Sequence, residues 1–210
     1  TDAMTKPSAI LLLGPTGSGK TPLGECLATH GLRGRPCLHF DFGERLRVVT
    51  AGAFPPAGFS HEEIDFLRNV LRRGALLENH HFPIAEKILL AFLDGLSGGP
   101  AEGGLVVLNG LPRHVDQARD IARLVDVREV VVLHCPAEVV LARIAANAGG
   151  DRTGRSDDGL PAVRAKLELF AHRTAPLVAF YRAAGAGVRT IEVGPATTPE
   201  DVHAILAAAS

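Results

Sequence analysis

Residues 9–21 read Ala-Ile-Leu-Leu-Leu-Gly-Pro-Thr-Gly-Ser-Gly-Lys-Thr, an apolar run followed by a glycine-rich turn that ends in lysine and threonine. Five consecutive apolar residues indicate a short buried β-strand, and a helical pattern follows over 20–30. A glycine-rich turn between a strand and a helix points backbone N–H groups and the positive end of the helix at one place. The stretch therefore predicts an anion-binding turn at the edge of a parallel sheet.

The turn matches G-x-x-x-x-G-K-[ST], the pattern of the phosphate-binding loop, or P-loop. In this pattern the glycine-rich backbone wraps phosphate oxygens, Lys20 reaches the β- and γ-phosphates, and the Thr21 hydroxyl holds Mg²⁺. The chain has four lysines against 18 arginines, so a lysine at this position is not expected by chance. The predicted ATP-binding residues are Gly14, Pro15, Thr16, Gly17, Ser18, Gly19, Lys20 and Thr21.

The remaining chain alternates short apolar runs with helical patterns. Four further runs have the length and β-branched content of buried strands, at 37–40, 105–108, 130–134 and 188–193. Five buried strands separated by helices predict an α/β fold, with three α/β/α layers around a five-stranded parallel sheet. The predicted helices after the first are at 44–51, 60–73, 81–93, 116–125, 138–146, 162–184 (one long helix or a pair of helices) and 200–208.

Composition excludes several classes of protein. The 210 residues have a net charge of −1 and a pI near 6.7, which argues against a nucleic-acid-binding or membrane-surface protein. No run of 18 apolar residues is present, so we expect no membrane span. The three cysteines have no metal-binding spacing, and we expect no signal peptide. We therefore expect a cytoplasmic protein, and a monomer.

Four segments after the P-loop narrow the class. Residues 43–47 read Gly-Glu-Arg-Leu-Arg, 109–118 contain Asn-Gly-Leu-Pro-Arg followed by Gln-Ala, 154–158 read Gly-Arg-Ser-Asp-Asp, and 174–181 contain Thr-Ala-Pro-Leu and Phe-Tyr. In order and spacing these segments resemble the adenylate kinase and nucleoside monophosphate kinase family. That family has Gly-Asp-x-Leu-Arg, Asp-Gly-Phe-Pro-Arg and Gly-Arg-x-Asp-Asp at the matching places. The resemblance extends from about residue 9 to the C-terminus.

The resemblance implies one P-loop kinase domain over 1–210. Its core would comprise 8–40, 103–146 and 160–210, with a helical acceptor-binding insert at about 41–95 and a short lid at about 147–159. The implied reaction is transfer of the γ-phosphate of ATP, with Mg²⁺ as cofactor, to a nucleoside monophosphate. AMP is the leading acceptor.

The resemblance also implies roles for individual side chains. Arg47 and Arg113 would hold the acceptor phosphate, and Gln117 would bond to the acceptor base in a pocket lined by the backbone near Leu77. Lys166, at a position that is arginine in the family, would remain cationic beside the acceptor. The implied catalytic residues are Lys20, Arg113, Arg143 and Arg155, with Arg155 on the lid. Planar arginine forks neutralise the spread charge of a transferring phosphoryl group well, which supports these roles independently.

Two departures from the family pattern concern the site. Asp41-Phe42 replaces a Ser-Thr pair whose threonine contacts the acceptor nucleotide in the family, which leaves the base or sugar preference open. Asn109 stands where the family has a carboxylate that helps to hold Mg²⁺. Asn109, expected near Thr21, could make the enzyme slow or dependent on high Mg²⁺. Alternatively Glu44, Asp41 or the acidic pair at 157–158 supplies the missing charge.

Two other functions stay open at this stage. A small-metabolite kinase of the shikimate or gluconate type has a similar Gly-Lys-Thr loop. A catalytically weakened relative would keep the nucleotide pocket without turnover, a possibility raised by Asn109, Asn147 and Lys166.

Overall fold

The computed structural model describes residues 6–52, 56, 58–75, 77–95, 103–150 and 159–208. Its sheet has five parallel strands in the order β2-β3-β1-β4-β5. This confirms the predicted five-stranded parallel sheet. The strands are β1 Ser8–Leu13, β2 Cys37–Asp41, β3 Leu105–Asn109, β4 Asp126–His134 and β5 Gly187–Glu192.

Helices connect the strands, as parallel pairing requires. A short 3₁₀ turn, Asn79–His81, lies directly before the helix Phe82–Asp94. A π-helical turn, Phe170–Thr174, lies directly after the helix Leu160–Leu169. Of the two alternatives predicted for 162–184, one long helix or a pair of helices, the structure shows the pair, with this turn after its first helix. The helices are α1 Lys20–His30, α2 Phe42–Ala51, α3 His61–Arg73, α4 Phe82–Asp94, α5 Val115–Ile121, α6 Ala137–Ala145, α7 Leu160–Leu169, α8 Leu177–Ala183 and α9 Pro199–Ala208.

The sheet separates two apolar cores. Successive side chains of β1 point to opposite faces, so Leu11 packs in one core and Leu12 in the other. The first core includes residues of α2, α3, α4, α5 and α8, and the second includes residues of α1, α6, α7 and α9. Helices therefore cover both faces of the sheet, which explains why its strands are continuously apolar.

The start of β4 differs from the prediction. The strand begins at Asp126, four residues before the predicted run at 130–134, and α5 ends at Ile121 and not near 125. The start of the strand carries charged residues, so it is not part of the apolar run that predicts the strand. Glu129 is among them, and its carboxylate pairs with Arg33 at 2.9 Å and with Arg189 at 3.5 Å. The charge of Glu129 is tolerated in the sheet because arginines from other segments pair with it.

None of the helices in the described part of the chain has both the length and the apolar character to cross a bilayer.

Candidate active site

A cleft opens at the carboxyl ends of β1, β2 and β3, where a parallel sheet commonly binds its ligands. The P-loop forms one end, and α2 and the ends of α3 and β3 form the other. Apolar, cationic and uncharged polar side chains line it, together with one carboxylate among the described residues. Its lining comprises Leu12, Leu13, Gly14, Thr16, Gly17, Gly19, Lys20, Thr21, Asp41, Phe42, Gly43, Leu46, Arg47, Val70, Leu71, Gly74, Ala75, Leu77, Asn109, Gly110, Pro112, Arg113, Gln117, Arg143, Gly149, Lys166, Phe170 and Thr174.

The P-loop joins β1 to α1, as the sequence predicts. Gly17 and Gly19 have φ angles of 76° and 97°, a region that residues with a Cβ rarely adopt. Lys20 begins α1, and its ammonium donates hydrogen bonds to the carbonyl oxygens of Gly14 at 2.7 Å and Pro15 at 2.8 Å. The Ser18 hydroxyl is buried and has no hydrogen-bond partner among the described residues. The loop is thus folded around its own lysine.

Thr21 lies between the ends of β2 and β3. Its hydroxyl donates to Oδ2 of Asp41 at 2.6 Å and accepts from Nδ2 of Asn109 at 3.1 Å. Asn109 also donates to Oδ2 of Asp41 at 2.8 Å. The structure therefore brings Asn109 close to Thr21, as expected, and adds the carboxylate of Asp41 to the same place. We refer to Thr21, Asp41 and Asn109 as the Thr21 cluster.

Arg113 follows β3 and is partly buried in the cleft. Removal from water lowers its pKa to about 10, so the guanidinium remains charged at neutral pH. The guanidinium has no hydrogen-bond or ion-pair partner in the part of the chain that the structure describes. A buried cation without an anion is costly, and an anionic ligand would offset that cost. Arg47 lines the same end of the cleft from the exposed side of α2.

Gln117 connects the residues around Arg113. Its Oε1 accepts from the main-chain N–H of Arg113 at 2.8 Å, and its Nε2 donates to the carbonyl of Leu77 at 3.0 Å. His114 donates to the same carbonyl at 3.0 Å. From the other side, the Thr174 hydroxyl donates to the carbonyl of Arg113 at 2.9 Å. The predicted acceptor residues Leu77, Arg113 and Gln117 therefore form one hydrogen-bonded unit.

Arg143 is buried and bonded to main-chain carbonyls of two loops. It is only 5% exposed, and its guanidinium donates to the carbonyls of Gly17 at 3.1 Å, Gly194 at 2.8 Å and Thr197 at 2.9 Å. These bonds tie the P-loop to the loop after β5. Arg143 still lines the cleft, and its predicted contact with the transferring phosphate stays a prediction.

Arg155, the catalytic arginine predicted on the lid, lies outside the described residues, as do all of residues 151–158 of the predicted lid at about 147–159. Lys166, on α7, lines the cleft beside the acceptor end. Sequence reasoning assigned no role to Thr174 or Phe42, and treated Asp41 mainly as a departure from the family pattern. Asp41 could have been identified from its position, because it ends a strand at the edge of the sheet where the P-loop lies.

The cleft is strongly cationic. Among the described residues, five cationic side chains line it against one carboxylate, that of Asp41. Such a cleft suits a ligand that carries several negative charges, because the cations lower the cost of bringing those charges together. The cationic residues are Lys20, Arg47, Arg113, Arg143 and Lys166.

Comparison with known proteins agrees with this arrangement. No family model matches the chain. An adenylate kinase from Xanthomonas campestris pv. campestris is 31% identical over 194 residues, which cover 88% of this chain and 91% of the relative. An adenylate kinase from Synechococcus is 33% identical over 183 residues, covering 84% and 85%. The chain therefore belongs to the adenylate kinase family of ATP-dependent phosphotransferases, enzymes that phosphorylate nucleoside monophosphates.

Proposed function

We propose that this enzyme transfers the γ-phosphate of ATP to AMP, with Mg²⁺ as cofactor, and so forms two molecules of ADP. The bond between the γ-phosphorus and the bridging oxygen breaks, and a bond to an AMP phosphate oxygen forms. The observation that carries the proposal is the continuous cleft that joins a P-loop to a partly buried arginine whose guanidinium has no partner among the described residues. The relatives above are named adenylate kinases, which supports AMP as the acceptor.

The donor would bind at the P-loop. Backbone N–H groups of 14–19 would surround the phosphates, and the N-terminus of α1 would direct its positive end at them. Lys20 would exchange its bonds to the carbonyls of Gly14 and Pro15 for contacts with the β- and γ-phosphates. An ammonium held at this place is well positioned, since it needs only a small movement to reach a ligand in the same loop.

The Thr21 cluster offers the donors that Mg²⁺ requires. Hard cations prefer hydroxyl, carboxylate and phosphate oxygens, and Thr21 and Asp41 present a hydroxyl and a carboxylate beside the P-loop. We assign these residues to the metal side of the site, with ATP phosphates completing the coordination. Bound there, Mg²⁺ would neutralise phosphate charge during transfer.

The acceptor phosphate would bind to Arg47 and Arg113. Both side chains line the cleft at the end opposite the P-loop, and Arg113 has a buried charge that an incoming phosphate would pair. Guanidinium groups bind phosphates through two parallel hydrogen bonds, which orient the acceptor as well as hold it. Placing two reactants in one cleft supplies much of the catalysis in phosphoryl transfer.

Gln117 is the residue that would contact the acceptor base. A primary amide has two N–H donors and two oxygen lone pairs, and Gln117 uses one of each within the described structure. One donor and one lone pair are left for a ligand. Adenine presents an N6 donor beside the N1 acceptor, which matches this pair. Cytosine presents the same order, so CMP is the second candidate acceptor.

Two of the remaining cations would act on the transferring group. We propose that Arg143 and Arg155 surround the γ-phosphoryl when both nucleotides are bound, and that Lys166 is a cation beside the acceptor. Neutralising charge as it redistributes is the main electrostatic contribution available in such a site. For Arg143 this requires that part of its guanidinium faces the cleft while the rest keeps its bonds to the P-loop.

A panel of acceptors tests the proposal. The enzyme is assayed with ATP and Mg²⁺ against AMP, dAMP, CMP, UMP, GMP, shikimate and gluconate, with ADP formation as the readout. We expect kcat/KM for AMP to exceed that for every other base by about tenfold or more. A higher kcat/KM for CMP than for AMP would make CMP the acceptor. Tight ATP binding without turnover on any monophosphate would identify a catalytically weakened relative, and turnover only on shikimate or gluconate would replace the proposal.

A further inference from the structure

The carboxylate in the Thr21 cluster comes from β2, although the family pattern places it at the end of β3. The two strands are neighbours in the sheet, and Asp41 pairs in register with Asn109. Both residues are the last of their strands, so their side chains reach the same point beside the P-loop. Exchanging the carboxylate and the amide between these two positions would therefore leave the charge of the site unchanged.

Asp41 is held in place from two directions. Its Oδ1 accepts the main-chain N–H of Glu44 at 2.9 Å, which caps the N-terminus of α2. Its Oδ2 accepts from both Thr21 and Asn109. The cap fixes the side-chain orientation, and Asn109 fixes the second oxygen against Thr21. The carboxylate is buried and points to the P-loop.

These contacts also set the state of the Thr21 hydroxyl. A hydroxyl has one hydrogen and two lone pairs. The hydrogen is donated to Asp41, and one lone pair accepts from Asn109. One lone pair is left for a cation, which is the arrangement that a metal-binding hydroxyl needs.

The negative charge of Asp41 also affects the affinity of the cleft for a divalent cation. Asp41 is the one carboxylate among the described residues that line a cleft with five cationic side chains. A divalent cation entering that cleft is repelled by the cations and attracted by this single negative charge. At the short distances and reduced dielectric constant of a buried cluster, one charge changes the affinity of a dication substantially.

We propose that Asp41 performs the metal-side function that the family pattern assigns to the residue at position 109, and that Asn109 is its hydrogen-bond donor. Asp41 supplies the negative charge and orients the Thr21 hydroxyl. The inference rests on the proposed use of Mg²⁺ with ATP. In this view the amide at position 109 does not weaken the site, because Asp41 compensates for the carboxylate that is missing there. Of the two explanations raised by the sequence, a slow enzyme or a charge supplied by another residue, the inference favours the second.

The proposal changes what a carboxylate at position 109 should do. In Asn109→Asp two carboxylates would lie at hydrogen-bond distance, where like charges repel each other. The variant would also lose the N–H donor that holds Oδ2 of Asp41. We therefore expect no improvement in metal affinity from this single change.

The test measures Mn²⁺ binding to the enzyme with the β,γ-imido analogue of ATP, by the loss of the free Mn²⁺ signal in electron paramagnetic resonance. Asp41→Asn keeps a helix-capping side chain, so α2 should retain its N-terminus. We expect this variant to bind Mn²⁺ about tenfold more weakly. Metal-free binding of the analogue, measured by calorimetry, should be unchanged or tighter. Asp116→Asn removes the same charge at an exposed position and should leave Mn²⁺ affinity unchanged.

The exchanged pair is the decisive variant. Asp41→Asn combined with Asn109→Asp returns one carboxylate and one amide to the cluster, and we expect Mn²⁺ affinity to recover to within about threefold of the wild type. Unchanged Mn²⁺ affinity in Asp41→Asn, or no recovery in the exchanged pair, overturns the inference. So does an equal loss in Asn109→Ala, which keeps the carboxylate. If the wild-type enzyme binds no nucleotide analogue, the proposed function fails first, independently of Asp41.

Discussion

The main-chain N–H of Arg113 donates a hydrogen bond to Oε1 of Gln117 at 2.8 Å, so the predicted phosphate-binding residue and the predicted base-binding residue support each other. The other end of the Gln117 amide holds the carbonyl of Leu77. The acceptor end of the cleft is therefore assembled from two chain segments joined through one amide. Changes to that amide should affect binding and stability together.

Replacing Gln117 with alanine should weaken AMP binding and destabilise the fold. The change leaves the N–H of Arg113 without its buried partner, which costs about 1–3 kcal/mol in the free energy of unfolding. We expect AMP affinity to fall about tenfold, with ATP affinity unchanged, because the P-loop is not involved. Denaturant unfolding and calorimetry with each nucleotide measure the two effects. Gln117→Glu keeps the acceptor oxygen for Arg113 and should lose less stability than Gln117→Ala. Loss of stability with normal AMP binding would restrict Gln117 to a structural role.

Replacing Arg113 with alanine should separate binding from stability. Loss of a charge-assisted contact with the acceptor phosphate costs about 2–4 kcal/mol, or roughly 30- to 1,000-fold in AMP affinity. Stability should be unchanged or higher, because the variant removes a buried guanidinium whose pKa is lowered to about 10 by desolvation. Calorimetry and unfolding test both statements. The control is Arg119→Ala, which removes an exposed arginine paired with Asp116. Weaker ATP binding with normal AMP binding would show that Arg113 serves the donor.

Replacing Lys20 with alanine should abolish most turnover without unfolding the chain. The ammonium contacts carbonyls of the P-loop and would contact phosphates in the complex. Loss of such a preorganised cation lowers kcat by about 10² or more. Steady-state kinetics and the melting temperature give the two readouts. Lys87→Ala is the matched control, since Lys87 forms an exposed ion pair with Glu63 at 2.7 Å. Near-normal turnover in Lys20→Ala would contradict the P-loop assignment.

Replacing Arg143 with alanine should destabilise the enzyme more than any of the preceding changes. Its guanidinium donates hydrogen bonds to the carbonyls of Gly17, Gly194 and Thr197. All three carbonyls would lose this buried donor in the variant. We expect the free energy of unfolding to fall by about 3 kcal/mol, with weaker ATP binding because Gly17 lies in the P-loop. Unfolding and ATP calorimetry measure this, and Arg143→Lys should restore part of the stability. Full stability with reduced kcat would instead assign Arg143 to the transferring phosphate alone.

The local pattern of the sequence was enough for the strands, the P-loop and the fold class. Apolar runs such as that of β1 are readable because a buried parallel strand is apolar on both faces. Gly17 and Gly19 are readable because a turn around an anion needs backbone angles that other residues rarely adopt. The start of β4 was missed for the opposite reason, since it carries charged residues, of which Glu129 is paired by arginines from distant segments.

The tertiary structure alone decided which polar groups meet. Asp41 contacts Thr21 and Asn109 across separations of 20 and 68 residues, and Gln117 reaches Leu77 across 40. These contacts depend on the strand order β2-β3-β1 and on the register that sets Asp41 beside Asn109. Strand order and register result from the packing of the whole sheet against both layers of helices, so no short segment of the sequence carries them.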